Sequence, residues 1–493
     1  MASDHPSTNG YSTSLSETQD QSEEWQLLED SGDSEVEPID QDVAISRHDL
    51  ATAPLITREA YAETARSGRA SQYGVLGKVL SIQSKDRSEK IDDQRLYLNT
   101  NAPFSAIVCG VQGSGKSHTV STMLENMLIS GFTAIGSLAK PLSGLVLHYG
   151  EGGPNSLPNE TAWISRSLSS YVSGPPVRIY VSKSSLQTMS AVYAPLGDRV
   201  VVEPLLLKNS ELDASAVLSM MAVGSVDSAP LYMQIILSLL RDLGESFTFR
   251  AFMEKLEVSK QNFNPAQLSG LEQRLSLLKS FMESPKTKGY HSERPRFQAG
   301  QLTIIDLSDP FLDAASACGL FEIIVRLFVR ADVQTGKVLV VDEAHKYLSA
   351  SRSTTGLTKA LLGLIRQQRH LAMRVIISTQ EPTVVPPVLL DLCSVTILHR
   401  FSSPTWWDHL IRHVPTDFSG SDAFDKVVRL PTGHAIILAP LGIGLFAGAE
   451  QKQEDAANPA PTKALAHFGR RYLVVKTRKR ITADGGASIL VVG

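Results

Sequence analysis

One short glycine-rich stretch constrains the fold of this chain more than any other feature of its sequence. Residues 110–117 read GVQGSGKS and match the pattern G-x-x-x-x-G-K-[ST]. The residues just before them, FSAIVCG, are apolar and partly β-branched, which predicts a buried strand. After them, apolar residues recur at helical spacing over 120–128. The stretch is therefore predicted to join a strand to a helix, which is the context of a phosphate-binding loop (P-loop).

The chemistry of such a loop follows from its residue types. Glycines let the backbone wrap closely around phosphate oxygens, while the loop N–H groups and the helix N-terminus supply partial positive charge. Lys116 is predicted to reach the β- and γ-phosphates of ATP, and Ser117 to ligate Mg²⁺. The residues predicted to bind the nucleotide are Gly110, Val111, Gln112, Gly113, Ser114, Gly115, Lys116, Ser117 and His118.

A later stretch, KVLVVDEAH (337–345), is predicted to supply the acidic residues of the site. Its apolar residues predict a buried strand that ends at two carboxylates. We expect Asp342 to hold Mg²⁺ and Glu343 to activate the attacking water as a general base. His345 is expected to form a hydrogen bond or to serve structure rather than to ligate a metal.

The stretch MRVIISTQEP (373–382) predicts another buried strand, with Gln380 at its tip. This side chain is expected to sense the γ-phosphate or to position the water, and a plain strand cap is the alternative. The preceding helix carries Arg366 and Arg369. Offered to the γ-phosphate of a neighbouring subunit, a guanidinium would stabilise the charge that develops during transfer.

Strands and helices alternate along the chain, which predicts an α/β fold with a mostly parallel sheet covered on both faces. Two short strands are expected at 73–82 and 95–99. Further strands are expected at 144–150, 177–182, 199–207, 301–309, 337–345, 373–380, 394–401 and 434–440. Helical periodicity dominates from about 211 to 284 and returns at 320–330 and 357–371.

These patterns divide the chain into five segments. They are a disordered acidic tail at 1–70, the first part of a nucleotide-binding core at 71–210, a helical insertion at 211–300, the second part of the core at 301–445, and a partly basic C-terminal extension at 446–493. The basic end of the extension is expected to be a solvated or partner-contacting tail.

Charge and cysteine content limit the class of protein. Residues 1–50 hold 13 of the 51 acidic side chains and one of the 47 Lys and Arg, which leaves 38 acidic and 46 basic side chains in the rest. A mildly basic body permits a polyanionic partner such as DNA without requiring one. The three cysteines are far apart, which disfavours disulfides and zinc. No apolar run is long enough to span a membrane, so we expect an intracellular protein, cytoplasmic or nuclear, without membrane insertion.

The ordered set of motifs resembles the HerA–FtsK superfamily of P-loop ATPases, which includes VirB4 and conjugative coupling-protein relatives. The residues that carry the resemblance are GVQGSGKS (110–117), VLVVDEAHKYL (338–348), LIRQQRHLAMRVIISTQEP (364–382) and LDLCSVTILHRF (390–401). The resemblance implies a RecA-like P-loop fold. It also implies that Asp342 and Glu343 form the acidic pair, that Gln380 is the sensor glutamine, and that Arg369, with Arg366 as second choice, acts in trans.

By this resemblance the chain is expected to bind and hydrolyse ATP with Mg²⁺, and to work as an oligomeric, hexameric DNA translocase. Two other functions stay open. A DEAH-type helicase shares the letters Asp342-Glu343-Ala344-His345, although Asp342 lies 226 residues after Lys116. A nucleotide-gated scaffold or signalling switch would bind ATP with little turnover and act through its interaction surfaces.

Overall fold

The computed structural model describes residues 45–66, 72–84, 88–89, 91–221, 232–284, 294–348, 356–416, 420–447 and 463–486. The chain divides into two units, Met1–Ala44 and Ile45–Gly493. The first unit lies outside the described residues, and so does most of the predicted acidic tail.

The strands of the second unit belong to one sheet. They are β1 Leu55–Thr57, β2 Tyr73–Gln83, β3 Ser88–Glu89, β4 Arg95–Asn99, β5 Ser105–Cys109, β6 Ser143–His148, β7 Val177–Val181, β8 Val200–Pro204, β9 Leu302–Asp306, β10 Lys337–Val341, β11 Met373–Thr379, β12 Val395–Leu398, β13 His434–Leu438, β14 Ile443–Ala447, β15 Lys463–His467 and β16 Tyr472–Thr477.

The helices cover both faces of this sheet. They are α1 Arg47–Thr52, α2 Arg58–Arg66, α3 Lys116–Leu128, α4 Leu186–Tyr193, α5 Ala214–Met221, α6 Tyr232–Leu243, α7 Phe249–Ser259, α8 Pro265–Ser280, α9 Ala314–Arg330, α10 Gly356–Gln367, α11 Pro387–Asp391, α12 Pro404–Ile411 and α13 Gly420–Val428. Two short 3₁₀ helices, Glu160–Ser165 and Ala344–Lys346, also matter below.

The parallel half of the sheet has the strand order β12-β5-β11-β10-β6-β9-β7-β8. Apart from the edge strand β8, its strands are largely apolar and buried because both faces are covered, as expected for a parallel sheet. In β10, for example, Leu339 and Val341 pack into one hydrophobic cluster, while Val338 and Val340 pack into the cluster on the opposite face. The predicted α/β class is confirmed, and so are the strands expected between residues 144 and 440.

The helical segment expected at 211–300 is present as α5 to α8, inserted between β8 and β9. Its apolar residues join the same cluster as α9, so the segment packs against the core. Among the described residues, no helix is both long enough and apolar enough to cross a membrane.

The other half of the sheet is largely antiparallel and corrects two expectations. Residues 45–66 were predicted to belong to a disordered tail, but they form α1, β1 and α2, because Leu55 and Ile56 are fully buried between β4 and β14. The basic end of the chain is not a solvated tail either, since β16 lies inside the sheet between β13 and β2. Its alternating apolar residues, Leu473 and Val475, are buried.

Candidate functional site

The candidate site lies at one edge of the sheet, where four neighbouring parallel strands end. The P-loop follows β5, Gln380 follows β11, Asp342 and Glu343 follow β10, and β6 ends at His148. The register places Cys109 beside Thr379, and Val341 beside Ile377 and Leu147. Residues far apart in sequence therefore meet at the carboxyl ends of adjacent strands, which is where open α/β sheets bind ligands.

The P-loop has the backbone that its glycines allow. Gly113 and Gly115 have φ values of 72° and 110°, in a region that side chains rarely adopt. A Cβ at Gly115 would lie 2.9 Å from the backbone nitrogen of Gly433. The N–H of Gly433 donates to the carbonyl oxygen of Ser114 at 3.1 Å, so the turn before β13 supports the loop from outside.

A buried histidine supports the loop from beneath. His399 donates through Nδ1 to the carbonyl oxygen of His434 at 2.9 Å, and its Nε2 lies 3.0 Å from the Thr119 hydroxyl. Burial lowers the pKa of His399 to about 3. The ring is therefore a neutral Nδ1–H tautomer that links α3, β12 and β13.

Lys116 is 5 % exposed and lies inside the site. Its Nζ donates to the carbonyl oxygen of Val111 at 3.3 Å, across the P-loop. Burial lowers the pKa of Lys116, and the carboxylates of Glu343 and Asp342 act in the opposite direction. The buried ammonium group has therefore lost part of its hydration, and hydrogen bonds to a bound phosphate would stabilise its positive charge.

Asp342 is held by two neighbours. Asn159 Nδ2 donates to Asp342 Oδ2 at 2.9 Å, and His148 Nδ1 lies 3.2 Å from the same oxygen. Burial would raise the pKa of Asp342, but the hydrogen bonds from His148 and Asn159 outweigh it and lower the pKa. The lowered pKa keeps the carboxylate ionised, and since both bonds end on Oδ2, Asp342 can offer Oδ1 to a hydrated cation.

Glu343 and Gln380, each predicted from its own motif, are in contact. Gln380 Nε2 lies 2.9 and 3.1 Å from the two carboxylate oxygens of Glu343. The N–H of Gln380 donates to His345 Nδ1 at 3.4 Å, and His345 Nε2 lies 3.3 Å from Glu343. Burial lowers the pKa of His345, which favours a neutral ring whose Nε2–H points at the carboxylate. His345 thus joins the tips of β10 and β11 by hydrogen bonding.

The backbone at Glu343 is strained. Its φ of 49° places a non-glycine residue in the left-handed region, which is uncommon and costs roughly 1–3 kcal/mol. The tight turn at the end of β10 imposes this conformation and directs the side chain toward Gln380. Strain of this kind is often found at functional sites.

The structure does not bring Arg369 to the P-loop of its own chain. Arg366 lies in the last turn of α10 and Arg369 in the turn before β11, so both are at the opposite edge of the sheet from Gln380. The seven residues of β11 separate the two edges by about 20 Å. Both arginines are exposed. Neither arginine therefore lies near the P-loop of its own chain.

Two parts of the site had no counterpart among the sequence predictions. The first is Asn159 with Glu160, at the start of the short 3₁₀ helix Glu160–Ser165, where Asn159 donates to Asp342 and burial raises the pKa of the Glu160 carboxyl group. The second is the segment after β16. His118 Nε2 donates to the carbonyl oxygen of Arg478 at 2.8 Å, and His118 Nδ1 lies 3.2 Å from Asp484. The P-loop helix is therefore bordered by residues from a loop and from the C-terminal segment.

The residues present suit Mg²⁺ bound together with a nucleotide. Mg²⁺ prefers oxygen ligands, and proteins usually hold it through one or two carboxylates, waters and substrate phosphates. Ser117 and Asp342 supply oxygen atoms at this edge. Within the described residues, no group of three or more His, Cys, Asp or Glu side chains is placed to hold a metal by itself. The phosphates would therefore complete the coordination.

Comparisons with known proteins give structural matches only. No protein-family model matches the chain, and no curated protein sequence does. VirB4 of Thermoanaerobacter pseudethanolicus is 12 % identical, covers 84 % of this chain and 98 % of its own, and has a TM-score of 0.43. The bacterial conjugative coupling protein TrwB is 12 % identical, with coverages of 77 % and 88 % and a TM-score of 0.40.

The genome packaging NTPase B204 from Sulfolobus turreted icosahedral virus 2, solved in complex with AMP, is 12 % identical over 69 % of this chain and 93 % of its own, with a TM-score of 0.29. At these identities and TM-scores, function has to be argued from the residues of this chain.

Proposed function

We propose that this protein is an ATP hydrolase that uses Mg²⁺. The observation that carries the proposal is the meeting, at one sheet edge, of the buried Lys116 ammonium, the ionised Asp342 and the Glu343–Gln380 pair. A site that only binds phosphate needs the loop and the lysine. The added pair of carboxylates and the amide that contacts one of them suit the activation of water.

Each residue has a separate part in the proposed reaction. The P-loop N–H groups and Lys116 hold the phosphates and offset their charge. Ser117 and Asp342 would hold Mg²⁺, and a bound Mg²⁺ would supply positive charge next to the phosphate oxygens. Glu343 accepts a proton from the attacking water, and Gln380 orients that carboxylate through its amide.

The finer proposal is an oligomeric motor acting on DNA, with Arg369 completing the site of a neighbouring subunit. Its support is the motif resemblance together with the position of Arg369, which is exposed and about 20 Å from its own P-loop edge. An arginine that enters from a neighbour couples hydrolysis in one subunit to the position of the next.

Calorimetric titration of ATP into the full-length chain tests the binding half of the proposal. Wild type and Glu343→Gln should both bind ATP in the presence of Mg²⁺, whereas Lys116→Ala should bind far more weakly. Lys346→Ala is the matched control, because Lys346 is exposed and lies next to the acidic strand. Equal affinity in Lys116→Ala and wild type would remove the P-loop assignment.

A further inference from the structure

Two histidines that take no part in the proposed reaction lie one turn apart at the end of α12. His409 is in the last turn of the helix, and His413 is in the turn that follows, where its N–H donates to the carbonyl oxygen of Leu410 at 3.0 Å. Residues four positions apart on a helical turn lie on the same side. The centres of the two rings are 5.2 Å apart, and the ring planes are inclined at 61°. The two side chains therefore form one cluster.

A carboxylate orients the His413 ring. Its Nδ1 lies 2.7 Å from Oδ1 of Asp391, the last residue of α11. An ionised carboxylate only accepts hydrogen bonds, so Nδ1 of His413 carries the proton and Nε2 keeps its lone pair. A histidine that binds a metal ion usually donates its other ring N–H to a carboxylate or carbonyl in this way. His413 is thus held in the tautomer that offers Nε2 as a ligand.

His409 provides a second, independent observation. Its Nε2 atom is buried and has no hydrogen-bond partner among the described residues. Buried polar atoms without a partner are rare in folded proteins, and a water molecule or an ion can account for one. The His409 ring as a whole is only half-buried, so the cluster lies near the surface.

The spacing of the rings suits a single metal ion. Zn²⁺ binds histidine nitrogen at about 2.0–2.1 Å with tetrahedral geometry, which places two imidazole centres roughly 5 Å apart. The observed separation of 5.2 Å agrees with this value. Imidazole suits Zn²⁺, Cu²⁺ and Ni²⁺, whereas Mg²⁺ prefers oxygen. Within the described residues, no group of three or more His, Cys, Asp or Glu side chains could hold a metal, so water would fill the remaining positions.

We propose that His409 and His413 bind a divalent transition-metal ion such as Zn²⁺, with Asp391 as the carboxylate that orients His413. The histidines belong to the segment after β12, and Asp391 to the segment after β11, which begins at Gln380. Helix α12 also packs against the 3₁₀ helix Pro382–Val384 of that second segment. A bound ion would therefore strengthen the attachment of α12 to the chain that follows Gln380. The site shares no residue with the proposed Mg²⁺ and ATP site.

Calorimetric titration of Zn²⁺ into the full-length chain, without nucleotide, tests the site. Asp391→Ala keeps both ligands and should weaken Zn²⁺ binding by about 10- to 100-fold. His409→Ala and His413→Ala each remove a ligand and should lose more affinity than Asp391→Ala does. The matched control is His370→Ala, at an exposed histidine in the turn before β11, which should bind Zn²⁺ as wild type does.

The visible absorption of Co²⁺ bound to the wild-type chain reports nitrogen coordination directly, so the test does not depend on the folding of any variant. A wild-type chain that binds no Zn²⁺, or a Co²⁺ spectrum without nitrogen ligands, would overturn the inference. Equal Zn²⁺ affinity in wild type and both histidine variants would also overturn it, as would a loss in His370→Ala as large as that in His413→Ala. These measurements contain no ATP, so the proposed function is tested separately.

Discussion

Removing the Glu125 carboxylate from the P-loop helix should strongly destabilise the protein. Glu125 is fully buried on α3. Oε2 accepts from Arg478 at 2.6 Å, and Oε1 accepts the N–H groups of Ile481 and Thr482 at 3.1 and 3.0 Å and the Thr482 hydroxyl at 2.6 Å. These bonds attach the segment after β16 to the P-loop helix.

The expected size follows from what Glu125→Ala leaves behind. The Arg478 and Arg480 side chains are only 12 % and 2 % exposed, and Glu125 is an ion-pair partner of both. Removal of one member of a buried pair costs about 3–5 kcal/mol, because the remaining charge stays desolvated. The buried N–H of Thr482 and the part-buried N–H of Ile481 lose their acceptor as well. We expect a loss of about 3–5 kcal/mol in the free energy of unfolding.

Urea denaturation of the full-length chain measures this loss, with Glu254→Ala as the control. Glu254 pairs with Arg250 on an exposed helix face, and its removal should cost less than about 0.5 kcal/mol. The double variant Glu125→Ala/Arg478→Ala should be destabilised by at least about 1 kcal/mol less than the sum of the single variants. Losses that add, or a Glu125→Ala loss as small as the control, would refute the reasoning.

Three further predictions concern the site. The pKa of His399 is about 3 in the folded chain against an ordinary value of 6.5, so only the unfolded chain binds a proton between these pH values, and the free energy of unfolding should fall as pH drops from 6.5 toward 3. In His399→Gln the free energy of unfolding should depend less steeply on pH, and an equal dependence would contradict a buried neutral ring. Gln380→Ala should bind ATP normally but turn over roughly 100-fold more slowly, as loss of the orientation of Glu343 implies; unchanged turnover would leave Gln380 as a strand cap. Arg369→Ala and Lys116→Ala should each be inactive, yet a mixture should regain activity, since one retains the P-loop and the other the arginine. An Arg369→Ala variant that is active by itself would remove the arginine from the reaction, and two inactive variants whose mixture stays inactive would contradict its action in trans.

The parallel half of the sheet could be predicted because each of its strands can be recognised from its own sequence. Buried parallel strands are continuous apolar runs, and β10 and β11 are followed directly by the polar residues of the site. Once the P-loop motif fixes which edge binds phosphate, Asp342, Glu343 and Gln380 follow from their places at strand ends. Their contacts with each other then depend only on strand order.

The remaining parts depend on contacts between distant segments. Asn159 and Glu160 lie in a polar loop, SLPNETAWIS (156–165), and nothing in its sequence indicates that it folds over Ser117. Asn159, two residues before Thr161, could have indicated the capped start of a helix, but it does not indicate which part of the protein that helix packs against. Likewise, the basic residues Arg478 and Arg480 suggest a solvated tail until their partner, Glu125, is known to be buried in α3.

The most direct test of the account is steady-state ATP hydrolysis by the full-length chain with Mg²⁺, wild type beside Glu343→Gln, with and without double-stranded DNA. We expect wild type to turn over, and Glu343→Gln to bind ATP but to turn over about 10²- to 10⁴-fold more slowly. Stimulation by DNA would support the motor, and turnover indifferent to DNA would leave an ATPase with another substrate. Wild type that binds ATP without turnover would contradict the central claim and favour a nucleotide-gated switch.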